Sequence, residues 1–182
     1  MLNCIKETQE KIQSTIVDED FYTEEFGDNC RKKFSAEPKE FMERGYGCCV
    51  QYSRLIEKSL NYYNFETRHI FLISPYKDIS LSNFLSLGQQ SHAVTEVLTS
   101  KGWMGIDSIL TVIVAINENG KFKVYKYADI INNKKSKEIF PNNDFYHQNL
   151  DLIYGLYSRH GYFYGPNLPG PEFNLREILY NF

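Results

Sequence analysis

GYGCCVQYSRL, residues 45–55, is the stretch on which the reading of this chain turns. Two near-adjacent glycines precede two adjacent cysteines, at the point where an irregular segment gives way to an apolar pattern of helical period. From Cys49 onward Tyr52, Leu55, Ile56, Leu60 and Tyr63 recur at three- and four-residue intervals, with Arg54, Glu57 and Lys58 on the other face. The spacing predicts a helix that starts at the second cysteine. A thiol in the first turn of a helix sits among unpaired N–H groups whose partial positive charge favours the thiolate. Gly45 and Gly47 permit a tight turn into that helix and leave room for a substrate to approach the sulfur. The alternative is that Cys48 and Cys49 are small buried residues, the usual state of a free cysteine. The choice depends on whether the rest of the chain supplies a base and a group to orient it.

Working outward, NCIKETQEKIQSTIV (3–17) repeats apolar positions at Cys4, Ile5, Ile12 and Ile16 and predicts a surface helix. AEPKEFMERG (36–45) predicts a second, with Pro38 in its first turn and Gly45 as its stop. ETRHIFLI (66–73) has the β-branched and aromatic content of a strand, and residues 74–90 read as a long loop. HAVTEVL (92–98), WMGIDSILTVIVAI (103–116) and KFKVYKY (121–127), separated by TSKG and NENG, predict a meander of three antiparallel strands. The end of the chain reads as a helix near 144–159, an aromatic loop and a last helix capped by Asn174 with Glu177 three residues on. Helices come first and an antiparallel sheet second, an α+β arrangement. No repeat or linker divides it, so residues 1–182 form one domain, with a motif core at about 35–127 and an aromatic C-terminal extension at 141–182.

Composition narrows the classes of function. A chain of 182 residues with 42% apolar content can bury a core without disulfides or metal. Its net charge of −3 gives no broad electrostatic grip on nucleic acid or anionic lipid, so neither is expected as a partner. The longest apolar run, Ile109–Ile116, falls far short of the ~20 residues that span a bilayer, and the N-terminus is polar. These features lead to the expectation of a cytoplasmic protein, away from membranes, with Cys4, Cys30, Cys48 and Cys49 reduced. Cys and His do not occur in pairs at zinc-ligand spacing, so no metal or cofactor is expected. The 14 Tyr and 13 Phe indicate half-buried, interface-like surfaces.

A base and its orienter emerge from strand register. If TSKG is a hairpin loop of four residues, Leu98 opposes Trp103, and opposed pairs sum to 201 in residue number. His92 and Asp107 then project from one face as diagonal neighbours. A two-residue loop gives the same result, whereas an odd loop without a bulge separates them. A carboxylate so placed fixes the imidazole tautomer and stabilises its charged form, leaving the other ring nitrogen for a thiol. Of the other histidines, His69 lies in a strand pattern and His147 on a charged face, and His160, in SRHGYFYG, is the rival base.

Taken together, GCCVQYSRL (47–55), TRHIFL (67–72), HAVTEV (92–97) and GWMGID (102–107) resemble the transglutaminase-like superfamily of papain-related Cys-His-Asp enzymes, over roughly residues 35–110. The resemblance implies a papain-like fold with N-terminal helices packed on an antiparallel sheet and a catalytic Cys at a helix N-terminus. It implies Cys49, rather than Cys48, as nucleophile, His92 as base and Asp107 as its orienter. Val94 stands where many members carry Trp, and Ser108 where a proline often follows the aspartate. The implied chemistry is acyl transfer or amide hydrolysis through a Cys49 thioester, on a peptide or protein side-chain amide. The Cys49 N–H is one oxyanion donor; Gln89, Gln90 and Tyr46 are candidates for the second, and Trp103 and His160 for substrate contacts. The position six before Cys49, where papain-like enzymes often keep Gln, is Glu43. Other readings are a binding or assembly protein that keeps the fold without turnover, an arylamine N-acetyltransferase-like enzyme to which RGYGC is similar, and a redox switch through Cys48 and Cys49.

Overall fold

The computed structural model describes residues 2–16, 38–45, 47–74, 90–132, 134–157 and 172–182. Among the described residues the first elements are the helices α1 (Leu2–Ile16), α2 (Pro38–Arg44) and α3 (Cys49–Tyr62), the last starting at the cysteine from which its apolar stripe is counted. An antiparallel sheet follows, built from β1 (Thr67–Ser74), β2 (Gln90–Thr99) and β3 (Gly102–Ile106). A hairpin of β4 (Ala115–Glu118) and β5 (Lys121–Val124) leads to the short helices α4 (Tyr127–Ile130) and α5 (Lys134–Ile139) and a 3₁₀ turn at Asp144–His147. Strand β6 (Asp151–Tyr154) returns to the sheet, whose order is β3-β2-β1-β6. Beyond it, β7 (Leu156–Tyr157) pairs with β8 (Glu172–Phe173), and α6 (Leu175–Ile178) lies near the end. The fold is mixed α+β with helices against an antiparallel sheet. No helix among the described residues is long and apolar enough to cross a membrane.

Both faces of the sheet are covered, which explains why β1 is buried from Arg68 to Ile73 rather than at alternate positions. On one face the apolar stripe of α3 (Tyr52, Leu55, Ile56, Leu60) meets Ile5 and Ile12 of α1, Phe41 of α2, and Val97, Met104 and Ile106 of the sheet. On the other, Ile70, Leu72 and Val94 pack against Val114, Tyr127, Ile130, Phe140, Tyr146 and Leu150. Burying charge costs several kcal/mol unless every polar atom finds a partner. Arg68 meets that condition: its Nε donates to Glu96 Oε2 at 2.7 Å, while the rings of Trp103, Tyr154 and Tyr180 enclose its guanidinium at 4.1, 4.4 and 4.7 Å. Glu96 Oε1 accepts the Tyr127 N–H at 2.6 Å, tying the sheet to α4.

Two expected elements form differently. The run Ile109–Ile116 does not continue β3 into a three-stranded meander. The chain turns after Ile106, touches it again through a single bridge from Ile113, and then makes the separate β4–β5 hairpin. Its cause is the Asp107 carboxylate, whose Oδ1 accepts the N–H groups of Ile109 at 2.8 Å and Leu110 at 2.6 Å, closing an Asx turn where the strand would run on. The expected helix at 144–159 shrinks to the 3₁₀ turn, because Asp151–Tyr154 pair with Ile70–Ile73 at the open edge of β1. Gly155, at φ +71°, then ends β6; a Cβ there would lie 2.7 Å from the Ile178 nitrogen and 2.8 Å from the Asn174 oxygen. Asn174 does cap α6, accepting from Arg176 and Glu177. Glu177 reaches back to the Asn174 side chain, its Oε1 accepting from Asn174 Nδ2 at 2.8 Å, rather than to the Asn174 N–H, which goes to the Gly155 carbonyl at 2.9 Å; its Oε2 accepts the His69 N–H at 2.9 Å.

His69 is fully buried between sheet and α3, with Nδ1 3.1 Å from Ser53 Oγ, which in turn meets Thr95 Oγ1 at 2.9 Å. Burial first, and the nearby Arg54 charge second, push its pKa down to about 3. It is therefore neutral in the folded protein at pH values where the unfolded chain takes up a proton. Stability attributable to His69 is complete above the unfolded value near 6.5 and falls as pH drops toward about 3, by up to ~1.4 kcal/mol per pH unit. Urea unfolding between pH 3.5 and 7 is expected to show this slope in the wild type and a shallower one in His69→Asn. Parallel slopes for the two proteins would contradict a neutral His69.

Candidate functional site

Three chain features deliver Cys49. Gly45, at φ +80°, ends α2 with its N–H on the Phe41 carbonyl at 3.0 Å. Gly47 has no room for a side chain, since a Cβ would stand 2.6 Å from the ring of Phe41, a buried residue whose ring meets Tyr52 edge-on. Cys48 is the extended N-cap of α3, with its N–H donated to Gln51 Oε1 at 2.9 Å. Cys48 is disulfide-bonded, whereas Cys49 is a free thiol. That differs from the expectation of four reduced cysteines, and it leaves Cys49 as the one thiol of the vicinal pair.

The register expected for β2 and β3 is the one observed. Leu98 opposes Trp103 and Thr95 opposes Ile106, around a two-residue turn at Ser100 and Lys101. Asp107 follows the last ladder pair on the same face as His92, and its Oδ2 lies 3.1 Å from His92 Nε2. This leaves Nδ1 for the thiol, and Cys49 and His92 are near enough for each to shift the other's ionisation. Sulfur, imidazole and carboxylate thus form one chain across the junction of α3 with the start of β2.

Electrostatics favour the charged form of each member. Burial pushes the Cys49 thiol up, but the hydrogen bond and charge of His92, with backbone hydrogen bonds from Ala93 and Val50, hold it below its ordinary value. Burial lowers His92, but the charge and hydrogen bond of Asp107, helped by Cys49, raise it to about 10. Burial raises Asp107, which is fully buried, yet His92, the Tyr146 hydroxyl and the Leu110 N–H keep its carboxyl below the usual range. The shifts run in one sense, the thiol toward thiolate, the imidazole toward imidazolium and the carboxyl toward carboxylate, so the three ionisations are coupled.

Two side chains of α1 that no sequence motif marks reach the turn below Asp107. Gln9, fully buried, points Nε2 at the carbonyls of Asp107, Leu110 and Val112, at 2.9, 2.8 and 3.0 Å. Gln13 donates to the Leu110 carbonyl at 2.9 Å and accepts from Thr111 Oγ1 at 2.8 Å. Together they pin the turn from which Asp107 projects. Gln9 and Gln13 fall in the stripe of Ile5 and Ile12 at helical spacing, so two amides on the buried face of α1 were the signal. Tyr146, whose hydroxyl donates to Asp107 Oδ2, is a third such residue.

The remaining candidates scatter. Gln90 starts β2 two residues before His92, exposed, with its Oε1 accepting from Gln148 Nε2 at 3.0 Å. Trp103 is not at the site. It opposes Leu98, about 20 Å along the strand from His92 at ~3.3 Å per residue, and stacks on Arg68. Glu43 faces solvent and pairs with Lys39 at 3.9 Å, so it does not line the approach to Cys49. His147 Nε2 lies 2.8 Å from the Phe140 carbonyl, and His92 is the described histidine whose ionisation Cys49 shifts. Tyr46, Gln89 and His160 lie outside the described residues, as do Cys30 and residues 158–171 of the aromatic extension. No group of three or more His, Cys, Asp or Glu among the described residues is arranged to hold a metal ion.

Comparison with protein-family models, curated proteins and solved structures finds no match for this chain. For the turn that carries Asp107, Gln9→Met is expected to destabilise the protein by about 1–3 kcal/mol, since the buried Asp107 carbonyl loses its side-chain donor and those of Leu110 and Val112 lose one of theirs. It should also slow alkylation of Cys49 in the folded population. Unfolding free energies and thiol kinetics measured on the same samples check both, and unchanged values would remove α1 from the site.

Proposed function

We propose that this protein is a cysteine-dependent acyltransferase or amide hydrolase with a papain-related, transglutaminase-like fold, acting on a peptide or protein side-chain amide through a thioester on Cys49. One observation carries the reading: His92, bonded through Nε2 to the buried Asp107 at 3.1 Å, stands beside the free thiol of Cys49 at the head of α3 and shifts its ionisation. Lowering of the thiol and raising of the imidazole support it, because a nucleophile shifted toward thiolate and an acid that holds its proton are what the first step requires.

In that step the Cys49 sulfur attacks the amide carbon and forms the C–S bond. The carbonyl oxygen becomes an oxyanion, for which the Cys49 backbone N–H is a donor. As the C–N bond breaks, the His92 proton passes to the departing amine. Neutral His92 then takes a proton from water or an acceptor amine, whose attack on the thioester carbon releases the acyl group and restores the thiolate–imidazolium pair. Asp107 keeps Nε2 protonated throughout, so that Nδ1 is the nitrogen that cycles. The choice between water and an amine rests with the acceptor pocket and not with these three groups. A disulfide at Cys48 favours an oxidising setting over the cytoplasm expected from composition.

Iodoacetamide alkylation from pH 5 to 9 tests the proposal with an internal control, the exposed free thiol of Cys4. Cys49 is expected to react across the range with a depressed apparent pKa, while Cys4 follows the ordinary thiol value of ~8.5. Because the thiolate depends on His92, His92→Ala should slow Cys49 by about 10²-fold or more at pH 6. Ordinary reactivity at Cys49, or a fast phase that survives the substitution, would overturn the assignment. Incorporation of a fluorescent amine, run beside a peptide-release assay, separates transfer from hydrolysis.

A further inference from the structure

Tyr146 occupies a position that the three reacting groups do not account for. Its hydroxyl donates to Asp107 Oδ2, the oxygen that His92 Nε2 meets at 3.1 Å. The other oxygen, Oδ1, is committed to the backbone N–H groups of Ile109 and Leu110. Among the described residues, Tyr146 and His92 are thus the side chains that share Oδ2. A carboxylate with no exposed surface keeps its charge only if donors replace the water it has lost.

The phenol is built in rather than adventitious. Tyr146 is buried, with its ring stacked on Phe140 at a centroid separation of 3.7 Å and an interplanar angle of 11°, and parallel to Tyr127 at 6.2 Å. Phe145 meets it edge-on at 5.5 Å, and the His92 ring does so at 6.1 Å. Clamped between rings, the phenol is held with its oxygen against Asp107 Oδ2. Burial and the Asp107 charge hold the phenol well above its ordinary value, so it stays a donor at every working pH.

We infer that Tyr146 is a positioning residue of the thiol site: its hydroxyl fixes Asp107 Oδ2 toward His92 and keeps that carboxylate ionised, so that His92 retains the proton that stabilises the Cys49 thiolate. The inference rests on the reading of Cys49, His92 and Asp107 given under Proposed function.

Tyr146→Phe keeps the stacked ring and removes only the donor. The test follows the Asp107 carboxyl by ¹³C NMR titration, with the signal assigned by its loss in Asp107→Asn, alongside the pH profile of Cys49 alkylation. Losing a hydrogen bond to a charged acceptor should raise the Asp107 pKa by about one pH unit or more. The acid limb of the alkylation profile should move to higher pH and its plateau should fall about tenfold. In an Asp107→Asn background the same substitution should leave the limb where it is. A packing role alone would lower stability and move neither limb nor titration, so an unshifted Asp107 titration overturns the inference, as does a limb that moves equally with and without the Asp107→Asn change. Should Tyr146→Phe fail to fold, 3-fluorotyrosine at position 146, a more acidic donor, must move the Asp107 titration downward; no movement overturns it equally. A wild-type protein without a fast thiol would defeat the proposed function, whereas the carboxyl titration would still decide what Tyr146 does.

Discussion

A carboxylate with no surface of its own is the constraint around which this molecule is arranged. Asp107 accepts two backbone N–H groups on one oxygen, and a phenol and an imidazole on the other. Each bond places a different element: the turn after β3, the 3₁₀ segment that carries Tyr146, and the start of β2. The carbonyl of the same residue is taken by Gln9 of α1. Elements far apart in sequence therefore meet at one side chain, and the thiol at the head of α3 inherits its electrostatics from that meeting.

Two buried polar assemblies lie at opposite ends of β2. At its start is the Cys49–His92–Asp107 chain. Toward the far end Arg68 and Glu96 are locked together under Trp103, Tyr154 and Tyr180. In the first, the ionisation of each group depends on that of its neighbour. In the second every charge is matched and enclosed by rings, which suits a fixed strut. Burial alone therefore does not mark a reactive site. What differs is the presence of a thiol whose ionisation depends on its neighbours.

Much of this could be read along the chain wherever the decisive forces are local. The stripe from Tyr52 to Leu60, the stop at Gly45 and the β-branched run of β1 each record a preference acting over a few residues. Register between β2 and β3 was also legible, because a tight hairpin turn leaves little choice of partner. Reading failed where a single side chain or a vacant strand edge outweighed local preference. Ile109–Ile116 has a strand's composition, but the Asp107 carboxylate bends its first residues. Asp151–Tyr154 reads as part of a helix, yet pairs with β1, whose edge offers it backbone partners. Trp103 was grouped with the site from its place in a motif, and Arg68 holds it at the other end of the sheet.

What the amino-acid sequence determined by itself is which residue types stand within one or two turns or strand pairs of each other: a cysteine at a helix start, and a histidine and an aspartate on one face of a hairpin. These follow from period and register, which act locally. Only the tertiary structure decided that helix and hairpin meet with the thiol against the ring, that Gln9 and Tyr146 close on Asp107, and that Cys49 keeps a free thiol while Cys48 does not. Those outcomes depend on contacts between segments tens of residues apart. Such contacts form when a buried polar group must find partners, and the local pattern of residues carries no record of where those partners lie.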